Sequence, residues 1–247
     1  MTLAYRVIAR LDVKGANLIK GVQMEGLRKL GDPAAFARRY AQEGADEIAY
    51  FDTVASLYGR DNLCAILERT ATDVFIPITA GGGVRTINDI RRLLASGADK
   101  VALNTAAIHE PTIIRRAADT VGSQAIVVSI EAKRVNGGWE AYTDGGRCRT
   151  GRDARRWAEE SARLGAGEIL LTSVDRDGTA KGADVQLAKE IAVGIPVVLG
   201  GGIGTPQQAL EAAGAADAIA VGAALHYGKT SIPAIKRAMQ ERGYVVR

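Results

Sequence analysis

Ile76-Pro77-Ile78-Thr79-Ala80-Gly81-Gly82-Gly83-Val84 recurs about 119 residues later as Ile195-Pro196-Val197-Val198-Leu199-Gly200-Gly201-Gly202-Ile203. Each stretch is a short β-branched run that stops at three glycines and opens into a helix-like segment. Each is followed by a small-small-Asp step into another apolar strand. These steps are Gly97-Ala98-Asp99-Lys100-Val101-Ala102-Leu103-Asn104 and Ala215-Ala216-Asp217-Ala218-Ile219-Ala220-Val221-Gly222. Glycine lets backbone N–H groups approach an anion closely, and a helix N-terminus behind it favours negative charge. Two such cradles at matched positions predict one ligand with a phosphate at each end.

The repeat extends to charged positions. Ile8-Ala9-Arg10-Leu11-Asp12-Val13-Lys14 aligns with Val128-Ser129-Ile130-Glu131-Ala132-Lys133, which matches Asp12 to Glu131. Gly44-Ala45-Asp46-Glu47-Ile48 aligns with Gly165-Ala166-Gly167-Glu168-Ile169. A period this long exceeds the roughly 20–50 residues of a solenoid unit. It predicts two half-domains of four strand–helix pairs, about 1–122 and 123–247, within one domain spanning the chain.

Short apolar runs alternate with longer amphipathic segments throughout. The pattern predicts strands at 5–12, 46–52, 75–80, 99–103, 124–131, 168–173, 196–200 and 217–221. Helices are expected at 32–43, 60–71, 86–96, 111–120, 152–164, 184–193, 205–213 and 231–242. Asp32-Pro33, Thr86, Gly151-Arg152-Asp153 and Thr205-Pro206 supply helix starts. Eight βα pairs with strands apolar on both faces fit a closed (β/α)8 TIM barrel. An open doubly wound sheet is the rival, but it does not need a fourfold-plus-fourfold repeat. Two connections, 13–31 and 132–150, exceed the minimum, and the second reads as a hairpin through Asp144-Gly145-Gly146. Long loops after strands lie at the C-terminal face of a barrel, where active sites form.

Composition narrows the function classes. The chain has 247 residues and 47% apolar content, enough for a full core. A net charge of +4 is mild, and no basic run interleaved with aromatics points to nucleic acid. An anionic small molecule suits the surplus better. Cys64, Cys148, His109 and His226 do not fall at metal-ligand spacing, and neither a metal nor a cofactor is expected. The cysteine usage fits a reducing compartment. No leader-like or membrane-spanning stretch is read, so a cytoplasmic protein is expected.

Asp12 and Glu131 fall at the ends of strands that oppose each other in an eight-stranded barrel. Two carboxylates across one pocket suit paired general acid and base work. The first cradle offers Gly82 and Gly83, with Asn104 and Thr105 after the next strand as hydrogen-bond donors. The second offers Gly201 and Gly202, with Gly222 and Ala223 at the corresponding place. Asp177, Gly178 and Thr179, in Asp175-Arg176-Asp177-Gly178-Thr179, and Lys20 in the first long loop complete the expected phosphate-binding set. Arg6, Glu47, Lys100 and Glu168 stand at strand starts, where spacing alone predicts a solvated salt-bridge layer on the stability face.

Over its whole length the sequence resembles HisF, the cyclase subunit of imidazole glycerol phosphate synthase. The matching text includes Leu11-Asp12-Val13-Lys14, Leu27-Arg28, Gly31-Asp32-Pro33, Asn104-Thr105-Ala106-Ala107, Gly165-Ala166-Gly167-Glu168-Ile169-Leu170-Leu171-Thr172-Ser173 and Asp175-Arg176-Asp177-Gly178-Thr179. The resemblance implies a duplicated half-barrel and a substrate carrying two phosphates. It implies ammonia delivered by a HisH-like glutaminase docked at the N-terminal face. Arg6, Glu47, Lys100 and Glu168 match the family's ammonia gate. The products implied are imidazole glycerol phosphate and aminoimidazole carboxamide ribotide.

The sequence also departs from that pattern. Glu131 stands where HisF has a second catalytic aspartate, and Arg10 where it usually has a cysteine. Met24-Glu25-Gly26-Leu27-Arg28-Lys29-Leu30-Gly31 and Val54-Ala55-Ser56-Leu57-Tyr58-Gly59-Arg60 differ as well. Such features resemble a HisF-like branch tied to surface-polysaccharide synthesis, in which ammonia passes to a sugar-amidating enzyme. A HisA-like isomerase shares the cradles but needs no ammonia gate.

Overall fold

The computed structural model describes residues 4–55 and 63–247. Residues 56–60 of the second divergent stretch, and the start of the helix expected at 60–71, lie outside the described residues. The strands are β1 (Arg6–Lys14), β2 (Asn17–Val22), β3 (Glu25–Gly31), β4 (Glu47–Asp52), β5 (Ile78–Gly81) and β6 (Lys100–Leu103), followed by β7 (Ile126–Val135), β8 (Gly138–Thr143), β9 (Cys148–Asp153), β10 (Glu168–Ser173), β11 (Val197–Gly200) and β12 (Ala218–Val221). β1, β4, β5, β6, β7, β10, β11 and β12 pair in parallel in that order, and β12 returns to β1 to close the barrel. The fold is therefore a (β/α)8 barrel.

The ten α-helices among the described residues are α1 (Pro33–Gln42), α2 (Leu63–Ala71), α3 (Ile87–Ala95), α4 (Thr105–His109), α5 (Thr112–Val121), α6 (Ala154–Arg163), α7 (Val185–Glu190), α8 (Pro206–Ala213), α9 (Ala223–His226) and α10 (Ile232–Glu241). Their starts follow local chemistry. Thr86 accepts from the Asp89 N–H and Asp89 reaches back, forming a capping box before α3. Thr205 and Ser231 cap α8 and α10, each with proline at the first turn. The one-turn helices α4 and α9 were not expected. They follow residues in nearly the same backbone conformation, Asn104 (φ −133°, ψ −89°) and Gly222 (φ −122°, ψ −86°).

Two strand starts differ from expectation because of proline. Pro77 and Pro196 have no N–H to donate, so β5 begins at Ile78, not at 75, and β11 at Val197, not at 196. Their carbonyls still accept, from Ile48 and Ile169, at 2.9 Å each. The 132–150 connection is the expected hairpin, with β8 antiparallel to β7 and β9 to β8. The 13–31 connection also forms a hairpin, β2–β3, which pairs back onto β1. Its turn residues Gln23 (φ 52°) and Met24 (φ 63°) are both left-handed without glycine. Gln23 is held there by its N–H to the Asp177 carbonyl, at 2.8 Å.

Alternation along the strands sorts the interior. Val7, Ala9, Leu11 and Val13 of β1 face out into the main core beneath the helices. Ile8, Ala49, Phe51, Ala102, Val127, Leu170, Val198, Ala218 and Ala220 form a second cluster that fills the barrel. The inward face of β1 thus reads Arg6, Ile8, Arg10, Asp12. It carries a charge at the N-terminal end, an apolar waist, and charges again at the C-terminal end.

Candidate active site

At the C-terminal end, two adjoining cavities share Arg10, Lys20 and Gly21 in their walls. One, of about 680 Å³, is lined by Asp177, Gly178, Gly201, Gly202, Gly222 and Ala223. The other, of about 220 Å³, is lined by Asp12, Gly82, Gly83, Asn104, Thr105, Ser129 and Glu131. Each cavity therefore holds one glycine cradle. Thr179 lines neither; its hydroxyl donates to the Arg176 carbonyl at 2.7 Å and closes the turn.

The cradle glycines are required by close approach. A Cβ at Gly82 (φ +100°) would stand 2.2 Å from the Asp52 carbonyl oxygen, and one at Gly202 (φ +92°) 2.4 Å from that of Gly182. Asn104 donates to the Tyr142 carbonyl at 3.3 Å, and the Asp144 N–H donates to the Thr105 hydroxyl at 3.3 Å. The β8–β9 hairpin is thereby tied to the rim of the first cradle. At the second cradle, the β2–β3 hairpin packs on Gly178, where a Cβ would meet the Gly21 carbonyl at 2.4 Å.

Between the cradles lies a buried charge cluster. Lys20 donates to Asp12 Oδ2 at 2.6 Å and to both oxygens of Asp177, at 3.2 and 3.1 Å. Arg10 donates through Nε to Asp12 Oδ1 at 2.9 Å and through a terminal nitrogen to the Thr172 hydroxyl at 2.8 Å. Its guanidinium carbon stands 4.7 Å from the Phe51 ring centroid. Burial opposes the Asp12 charge, but Arg10 and Lys20 outweigh it and hold the carboxyl well below the usual range.

Glu131, on the opposite strand, has a different setting. Its Oε2 accepts from the Gly146 N–H at 2.8 Å, with no cation among the described residues in direct contact. Burial pushes its carboxyl up to about 7, against the opposing pull of Arg10 and the Gly146 N–H. His226 lies beside Gly222 of the second cradle, its Nδ1 2.7 Å from the Tyr40 hydroxyl, and burial pushes it down to about 4.

At the other end of the barrel, Arg6, Glu47, Lys100 and Glu168 form a closed ring. Lys100 donates to Glu47 at 2.8 Å and to Glu168 at 2.7 Å, while Arg6 bonds Glu47 at 3.2 Å and also Glu168. The ring joins the first residues of β1, β4, β6 and β10. Glu47 and Glu168 are buried, not solvated as a surface layer would be.

Sequence reading did not count Arg10, Ser129 and Thr172 as site residues. The signal was present, since each lies two residues from an inward position on its strand and alternation puts it on the same face. The Gly146 N–H had no such signal, because its approach to Glu131 depends on the folded β8–β9 turn.

The family model of histidine biosynthesis proteins matches residues 6–231. The chain is 57% identical over 202 residues to imidazole glycerol phosphate synthase subunit HisF of Legionella pneumophila, a match covering 81% of this chain and 95% of that protein. The chain belongs to the histidine biosynthesis protein family and, within it, to the HisF subunits of imidazole glycerol phosphate synthase.

Proposed function

We propose that this barrel is the ammonia-using cyclase subunit, a lyase, of imidazole glycerol phosphate synthase in histidine biosynthesis. The observation that carries this reading is one pocket with two glycine-cradled lobes flanked by carboxylates from opposite strands. A ribulosyl aminoimidazole carboxamide ribotide spans the lobes. One phosphate lies at Gly82, Gly83, Asn104 and Thr105. The other lies at Gly201, Gly202, Gly222 and Ala223, near Gly178. Ammonia attacks the ketose end, and the product splits into imidazole glycerol phosphate and aminoimidazole carboxamide ribotide. Asp12 and Glu131 flank the reacting centre.

A HisH-like glutaminase docks on the N-terminal face and delivers ammonia at the ring of Arg6, Glu47, Lys100 and Glu168. Neutral ammonia suits the apolar waist above the ring, where Ala49, Ala102, Ala218 and Ala220 lie among the larger apolar side chains. The internal repeat supports duplication of a half-barrel, about 1–122 and 123–247. The two free thiols, Cys64 and Cys148, are in keeping with a cytoplasmic setting.

A second reading, ammonia supply for sugar amidation in surface-polysaccharide synthesis, is favoured by Arg10, which occupies one oxygen of Asp12. The deciding assay is turnover of the two-phosphate ribotide with excess ammonium salt at alkaline pH. Robust turnover by the wild type refutes a polysaccharide-only role. No turnover by either the wild type or Glu131→Asp refutes the cyclase.

A further inference from the structure

Asp12 and Glu131 occupy matched positions on opposite strands, yet their oxygens are used differently. Both oxygens of Asp12 are taken by cations, Oδ1 by Arg10 and Oδ2 by Lys20. Among the described residues, only Oε2 of Glu131 has a protein donor, the Gly146 N–H. Arg10 is itself fixed at three points: Asp12, the Thr172 hydroxyl on β10, and the face of Phe51 on β4. It is 4% exposed, so solvent does not compete for the guanidinium. We infer that Arg10 is a positioning residue that makes the two carboxylates unequal, holding Asp12 as a permanent counter-ion and leaving Glu131 as the group that carries the pocket's mobile proton.

Charge balance supports the assignment. Arg10 and Lys20 supply two buried cations, and Asp12 and Asp177 supply two anions in contact with them. A charged Glu131 is a surplus anion in a desolvated site, and such a group takes up a proton. Every charged group facing Glu131 enters this sum. Arg10 favours its anion, Asp12 on β1 and Asp144 in the β8–β9 turn oppose it, and burial is the largest influence. Lys20, Arg85, Arg147, His109 and Asp52 line the same cavity. A general acid of ordinary glutamate strength is almost wholly ionised at neutral pH, whereas one poised near 7 exchanges its proton in the working range. The proton is gained or lost at the Glu131 carboxyl, and Asp12 stays anionic throughout.

The inference draws its catalytic meaning from the cyclase reading, but its test does not need turnover. The full-length chain is labelled with ¹³C at Asp and Glu side-chain carboxyls. The Asp12 and Glu131 signals are assigned by their loss in Asp12→Asn and Glu131→Gln, and titrated from about pH 4 to about pH 9. The expected result is a Glu131 midpoint of about 7 and an Asp12 signal that does not move. Arg10→Met raises the Asp12 midpoint more than that of Glu131 and narrows the gap, because only Asp12 is bonded directly to Arg10, and Arg10→Lys restores the gap toward the wild-type value. Titration of Asp12 in the neutral range, or of Glu131 together with exposed glutamates, overturns the inference. So does an Arg10→Met chain with unchanged midpoints. Should Arg10→Met not fold, the wild-type curves decide alone. A chain that titrates as expected but does not convert the ribotide counts against the cyclase reading and leaves this division of roles standing.

Discussion

At Gly82 an added Cβ would stand 2.2 Å from the Asp52 carbonyl; at Gly201, at the matched place in the other half of the barrel, it would stand 2.6 Å from that of Ser173. Asp99 accepts from the Ile78 N–H at 2.8 Å, and Asp217 accepts from the Val197 N–H at the same distance. Where the backbone must approach something closely, the halves agree. Where a side chain carries charge, they part. Asp12 lies between two cations, while Glu131 has a backbone N–H. Lys100 closes the ring at the base of the barrel, while its counterpart Ala218 is part of the apolar waist. Asp46 accepts from the Val7 N–H and pairs with Lys236, but its counterpart is Gly167. A side chain there would lie 2.2 Å from the Ser123 carbonyl, in the turn before β7. Repeated backbone geometry thus frames two unlike chemical environments, and the difference is testable at each matched pair.

The sharpest test makes the same chemical change on both sides. Asp12→Asn removes the anion that Arg10 and Lys20 share. Breaking a buried ion pair from one side costs about 3–5 kcal/mol, because the partner charge is left uncompensated. For a chain of this size each kcal/mol moves the melting temperature by about 2–4 °C, so a fall of roughly 10 °C is expected by calorimetry. Ammonia-dependent turnover should also drop by about 10²-fold, because Arg10 and Lys20 lose the anion that positions them in the pocket.

Glu131→Gln should act in the opposite direction. The folded chain raises this carboxyl from an ordinary 4.5 to about 7. Stability is therefore lost progressively as pH rises from about 4.5 to about 7, and the full loss persists above that. The amide has no charge to bury. It should stabilise the fold by on the order of 3 kcal/mol at pH 8 and by little at pH 5, read by urea unfolding. Equal effects of the two substitutions, or a Glu131→Gln effect independent of pH, would break the contrast.

How much of this was open to reading depends on what kind of signal each feature leaves. The barrel strands are bounded by Gly, Pro and Asp at regular places, so their existence and order follow from pattern alone. The cradles were legible because glycine triplets have few other uses. The β8–β9 hairpin was legible through Asp144-Gly145-Gly146. The β2–β3 hairpin was not, because Gln23-Met24 is not the Asn-Gly chemistry expected of a left-handed two-residue turn, and contact with Asp177 stabilises it from outside. Asp12 and Glu131 could be matched from sequence, but not their inequality. That comes from Arg10 reaching across to Thr172 and from Lys20 folding back from the hairpin, both tertiary events.

A smaller effect is expected at the lopsided ring. Lys100→Met removes two charge-assisted hydrogen bonds and leaves Glu47 and Glu168 sharing Arg6. Lys100 is partly solvent-exposed, so the cost is moderated to about 2 kcal/mol. If the ring admits ammonia from a docked glutaminase, glutamine-driven turnover in the reconstituted complex changes while ammonium-driven turnover of the isolated chain does not. Parallel changes in both rates would instead make the ring a structural brace.

The smallest effect tests where the halves should agree. The helices behind the two cradles, α3 and α8, begin alike. Thr86 accepts from the Asp89 N–H and Thr205 from the Gln208 N–H, both at 3.2 Å. One step earlier, the Arg85 N–H donates to Asp89 at 3.0 Å and the Gly204 N–H donates to Gln208 at 2.8 Å. These bonds match, built once with a carboxylate and once with an amide; at the first helix the Thr86 N–H also donates to Asp89, at 2.9 Å. Thr86→Ala and Thr205→Ala should each cost about 1 kcal/mol, the usual loss of an N-cap. Only the first helix has a carboxylate at this end, where the dipole favours negative charge. Salt screens that attraction, so Asp89→Asn should lose about 0.3–1 kcal/mol at low ionic strength and less in concentrated salt. The cap losses should be nearly equal in urea unfolding at either salt level. If Thr86→Ala cost several times more than Thr205→Ala, the matched geometry would conceal an unmatched energy, and the agreement between the halves would extend only to their backbones.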